Sequence, residues 1–73
     1  MARITPTESR LILKALTKHF GYKAVRMKGD HVQLEDSKGH HTTIIANQEL
    51  RQSMIKLILK DTGLEWDELK RYL

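Results

Sequence analysis

The chain has 73 residues, 40% of them hydrophobic and 30% charged, with 13 Lys and Arg against 9 Asp and Glu for a formal net charge of +4. One small globular domain is expected over residues 1–73, and a chain of this length buries only roughly 60% of the surface it exposes when unfolded. The lack of cysteine excludes disulfides and thiolate metal sites, and no apolar run approaches the ~20 residues of a membrane span, so a cytoplasmic protein without leader or membrane association is expected.

The positive charge favours a polyanionic partner, because bound Lys and Arg release phosphate counterions. Charge alone does not decide the matter, since a generally solvated basic surface has the same composition.

Thr5-Pro6-Thr7-Glu8 reads as the start of a first helix, with Thr5 as N-cap, Pro6 in the first helical position and Glu8 closing a capping box. Ile12, Leu16 and Phe20, flanked by Leu13 and Ala15, form its core stripe, while Arg10, Lys14 and Lys18 recur every four residues on another face. Gly21 stops it.

Residues 22–28 and 31–35 read as two strands joined by Gly29-Asp30, a two-residue turn of type II′ with glycine at its first central position. That turn pairs Lys28 with His31, Met27 with Val32, Arg26 with Gln33 and Val25 with Leu34. Met27, Val32, Val25 and Leu34 are then expected to face the core. Lys28, His31, Arg26 and Gln33 share the opposite face.

Asp36-Ser37-Lys38-Gly39 is a second turn signal, after which residues 41–45 return as a third strand. A three-residue loop over 37–39 sets Val32 against Ile44 on the core face and His31 against Ile45 on the outer face. A slip of one residue exchanges them.

A second helix follows, from residue 47 or 51 to 62, burying Leu50, Met54, Ile55, Ile58 and Leu59 and ending at Gly63, with Lys56 and Lys60 off the stripe. Residues 65–73 form a short terminal helix with Trp66, Leu69 and Leu73 apolar and Glu65, Asp67 and Glu68 in its acidic first turn. The order is α-β-β-β-α plus a terminal helical turn. The fold class expected is α+β, with a three-stranded antiparallel sheet and both main helices on one face.

His40 and His41 are neighbours on a strand and point to opposite faces, and no Cys or His-x-x-x-His pair completes a ligand set, so no metal and no cofactor are expected. Phosphate loops, nucleophile elbows and paired carboxylates are missing from the sequence. The patch of Lys28, His31, Arg26 and Gln33 suits another chemistry. Metal-free cleavage of RNA needs a base for the 2′-hydroxyl proton, an acid for the leaving 5′-oxygen, and cations for the phosphorane. Histidine suits the proton transfers, since an ordinary imidazole titrates at about 6.5. The plainer reading of the same residues is a solvated histidine beside a turn with two surface cations.

The run VRMKGDH over residues 25–31 and the segment NQELRQSMIKLILKDTGLEWDEL over residues 47–69 resemble the HicA (YcfA-like) toxins of type II toxin–antitoxin systems, across nearly the whole chain. Those proteins show a helix, a Gly-Ser-His hairpin, a Pro-Val-His-Gly-Asn strand end, and a helix ending in Ala-Gly-Leu before a short acidic tail helix. The resemblance implies a fold like the double-stranded-RNA-binding domain and mRNA endonuclease activity. It places the family's catalytic histidine on His31. Asp30 stands where the family has serine, which keeps the turn chemistry. Ile45 stands where the family has its second histidine, and Ser53-Met54-Ile55 replaces Gly-Thr-Leu.

On this reading the chain is a HicA-like endoribonuclease that cuts mRNA without a metal. His31 transfers protons, Lys28 and Arg26 stabilise phosphate charge, and Gln33, Lys14, Lys18, Lys56 and Lys60 contact the RNA. The resemblance also implies a HicB-type antitoxin that covers the toxin site and carries the DNA-binding part itself, so no direct contact of this chain with DNA is expected. Two alternatives stay open: an RNA-binding module or degenerate toxin that does not cleave, and a protein-binding adaptor, favoured only if the outer sheet face is apolar.

Overall fold

The computed structural model describes residues 3–73; Met1 and Ala2, included in the expected domain, lie outside the described residues. Apolar side chains every three to four positions drive residues 9–19 into helix α1 (Ser9–His19), which buries Ile12, Ala15 and Leu16 completely. Each fully buried aliphatic side chain contributes about 1.5–3 kcal/mol. Gly21 stops the helix as expected: its φ of +75° turns the chain, and the Tyr22 N–H donates to the Leu16 carbonyl at 3.1 Å.

The start of α1 differs from the sequence reading. Thr5 does not cap it and Glu8 closes no capping box. Thr7 and Glu8 form instead a short strand, β1 (Thr7–Glu8), which leads directly into the helix. The orphan N–H of Ser9 donates to the Gln48 carbonyl at 2.9 Å, and the buried Ser9 hydroxyl accepts from the Gln48 N–H at 3.4 Å. A distant backbone segment thus supplies what the local side chain was expected to supply.

Strands β2 (Lys23–Lys28) and β3 (His31–Glu35) form the expected hairpin, with Gly29 at φ +58° and no positive φ at Asp30, the pattern of a type II′ turn. Strand β4 (His41–Ile45) completes an antiparallel sheet of order β2-β3-β4. Its register sets Val32 against Ile44 and His31 against Ile45, as the three-residue loop requires. Inside that loop Asp36 accepts from the backbone N–H groups of Lys38 and His40 and faces His40 Nδ1 at 2.9 Å.

The core face of β2 is the second correction. A bulge between Ala24 and Arg26 sets Ala24, rather than Val25, against Leu34. Val25 is 54% exposed and Met27 65%, whereas Val32 and Leu34 are buried. The reason is coverage: both main helices, α2 above all, pack mainly on β4 rather than on β2.

Beyond β4, Asn47 adopts φ +60° and turns the chain into β5 (Glu49–Leu50), which pairs antiparallel with β1. Helix α2 (Gln52–Thr62) therefore begins after residue 51, and the buried Leu50 belongs to the strand. Ile55 and Ile58 are buried, with Met54 and Leu59 partly so, and Gly63 ends the helix in the left-handed conformation. The last helix, α3 (Trp66–Lys70), is held at its start by a capping box between Glu65 and Glu68. Leu73 lies past its end and is exposed. Helices α1 and α2 share one core with Val32, Leu34 and Ile44, giving an α+β fold of the α-β-β-β-α type with both main helices on one sheet face.

Candidate active site

The outer sheet face is free of helices, and the two-residue turn places its side chains. Lys28 pairs with His31 and Arg26 with Gln33, while Thr43 stands opposite Gln33 on β4. Because side chains alternate along a strand, Arg26, Lys28, His31, Gln33 and Thr43 all emerge on that face. They line one shallow depression of about 290 Å³. Arg26, Lys28 and His31 are exposed and Gln33 is partly buried. Among the described residues, no carboxylate forms a salt bridge with Arg26 or Lys28. Two uncompensated cations beside an imidazole and an amide create a field suited to a phosphodiester.

Thr43 is the member that sequence reasoning missed. Its signal was available, since the same register that sets Ile45 against His31 sets Thr43 against Gln33.

Lys14, Lys18, Lys56 and Lys60 are exposed, on helices that cover the opposite sheet face, and none of them lines this depression. His19 stacks on the Tyr72 ring at 4.0 Å between centroids, remote from the sheet's outer face. Among the described residues no three His, Asp or Glu side chains converge as a ligand set. A larger depression of about 340 Å³ lies where β1 meets β5, lined by Glu8 and Glu49 with Arg10. Glu8 already neutralises Arg10 there at 2.7 Å, which leaves little attraction for an anionic chain.

Residues 9–64 match the family model described as the HicA toxin of bacterial toxin–antitoxin. The chain belongs to the HicA toxin family. The match spans α1, the three-stranded sheet and α2, so it includes every residue of the outer-face depression. No curated protein matches the sequence significantly. Membership makes this chain the toxin of a toxin–antitoxin pair, in a family of toxins that act on RNA. No described helix is long and apolar enough to cross a membrane.

In this HicA-family toxin, Ile45 stands directly opposite His31 and is half-buried. Across this non-hydrogen-bonded pair the Cα atoms lie about 4.5 Å apart, so a side chain at 45 neighbours the imidazole.

Proposed function

We propose that this HicA-family chain is a metal-independent endoribonuclease that cleaves mRNA at the outer sheet face, with His31 as its proton-transfer group. The observation that carries the reading is the shared depression of Arg26, Lys28, His31, Gln33 and Thr43. His31 takes the proton from a ribose 2′-hydroxyl as that oxygen attacks the adjacent phosphorus. Lys28 and Arg26 hold the negative charge that grows on the phosphorane, and Gln33 and Thr43 offer hydrogen bonds to its oxygens. The P–O5′ bond breaks, the 5′-oxygen leaves with a proton from solvent, and a 2′,3′-cyclic phosphate remains. The lysines on the helices contribute to the long-range attraction of RNA rather than to the step itself.

A HicB-type antitoxin fits the same face, since acidic side chains pair with Lys28 and Arg26 and shut out RNA. The second reading, an RNA-binding protein that does not cleave, is favoured by one observation, the isoleucine opposite His31. The adaptor reading loses its condition: His31, Gln33, Glu35, His41 and Thr43 make the outer face polar, with Ile45 its single apolar residue on β3 and β4. Incubating the pure protein and His31→Ala with labelled RNA in EDTA separates the first two readings. Cleavage by the parent alone supports catalysis, and equal behaviour of both leaves binding.

A further inference from the structure

The two edges of the sheet are built differently. The β2 edge carries Lys23, Arg26 and Lys28 and a bulge, which are devices that keep another strand from adding to it. The β4 edge has neither. Its register is regular, and residues 42–45 are Thr, Thr, Ile and Ile. The ladder is bracketed by the Asp36 N–H donating to the His40 carbonyl at 3.0 Å and the Ala46 N–H donating to the Asp30 carbonyl at 2.7 Å. Alternation between these bonds turns the backbone groups of Thr43 and Ile45 away from β3. Among the described residues no backbone partner meets them there.

An apolar groove of about 220 Å³ runs beside this edge, formed by Ile45, Leu50, Met54, Leu57 and Ile58. Leu57 is 61% exposed on α2. His31 and Thr43 line both this groove and the basic depression, so the two are continuous. β2 lies two strand spacings, roughly 10 Å, from β4, so an RNA strand with a phosphate at Lys28 and Arg26 crosses the sheet to reach the groove. The stretch of edge along the groove is Thr43 to Ile45, two residue steps or roughly 7 Å. That is about the breadth of a nucleobase.

We propose that the groove is a nucleobase subsite. The base of a nucleotide flanking the phosphate at His31 lies on Ile45 and Leu57, and its hydrogen-bonding edge is read by the backbone N–H and C=O groups of Thr43 and Ile45. The inference rests on RNA being the ligand of the basic depression. A base whose edge is free to be read belongs to a single-stranded stretch of RNA.

The test uses uncleavable 2′-O-methyl oligonucleotides, one of mixed sequence and one with the same backbone and abasic residues, bound to the parent, Leu57→Ser and Lys28→Ala. The parent is expected to bind the intact strand about tenfold more tightly than the abasic one. Leu57→Ser, at an exposed position that leaves folding intact, removes that preference and leaves abasic binding unchanged. Lys28→Ala weakens both strands alike. Backbone amide signals of Thr43 and Ile45 shift with the intact strand and not with the abasic one. Equal affinity of the parent for both strands, with Lys28→Ala still weakening them, overturns the subsite while the basic RNA surface stands. Failure of the parent to bind either strand overturns both. If Leu57→Ser changes neither RNA affinity but releases a bound antitoxin, the groove belongs to a protein and the inference is wrong.

Discussion

His31 and Ile45 face each other across β3 and β4, the imidazole exposed and the isoleucine half-buried. This pairing makes a signed prediction. A histidine at 45 stands where it can donate a proton to the leaving oxygen, and a positioned acid is worth about 10² to 10⁴ in rate. Ile45→His is expected to speed a slow parent by about 10² or more, with the gain abolished when His31→Ala is added. Single-turnover cleavage of one RNA by the parent, each single variant and the double variant measures it. A folded Ile45→His that cleaves no faster means another group already supplies the second proton.

Between the histidines, activity is expected to divide sharply. His31→Ala loses about 10² or more in cleavage rate, as removal of a general base does. His19→Ala, which gives up only its stacking on Tyr72, keeps the parental rate. The same pair compared for growth arrest on expression is expected to rank identically.

Cleavage is expected to persist in EDTA, and a loss restored by magnesium would contradict the proton-transfer mechanism. RNA affinity falls with salt in any case, so the slope is the informative quantity. Lys28→Ala and Arg26→Ala are each expected to lower the dependence of log affinity on log salt by about one or less, one phosphate contact per cation. Slopes equal to the parent's would remove both cations from the contact surface.

The overhanging β2 edge predicts a contrast in stability. Met27→Thr at a 65% exposed position changes stability by no more than about 0.5 kcal/mol. Leu34→Ala, at a fully buried one, costs about 2–5 kcal/mol. Denaturant melts of the two variants decide whether β2 lacks a covering layer. Similar losses would mean that Met27 is packed.

The Asp36 turn predicts an acid limit. Partial burial works to raise its carboxyl, but the bonds it accepts from His40 and from the Lys38 N–H outweigh this and hold it below the ordinary value. A carboxyl lowered in the folded state stabilises the fold in full above its unfolded pKa, about 3.9, and loses that contribution as pH falls through the folded value. The parent's advantage over Asp36→Asn is therefore expected to be present at about pH 7 and to shrink below about pH 4. Thermal melts across that range read it, and a constant difference would show that the charge is not what holds the loop.

A two-residue turn admits one pairing, and side chains alternate with a period of two. Gly29-Asp30 therefore determined, from the sequence alone, that Arg26, Lys28, His31 and Gln33 share a face, and the short second loop determined that Ile45 meets His31. Those relations are local, set by covalent geometry over a few residues. Only the tertiary structure decided which strands have a roof. Met27 alternates correctly with its neighbours yet stays exposed, because periodicity says which way a side chain points and not whether a helix lies above it. The same holds at Ser9, where the Gln48 carbonyl, 39 residues away, replaces the expected Thr5 cap. It holds again at the groove of Ile45 and Leu57, which exists because α2 packs beside the β4 edge. Contacts between segments far apart in sequence are chosen by the burial of the whole core, and no local pattern carries that choice.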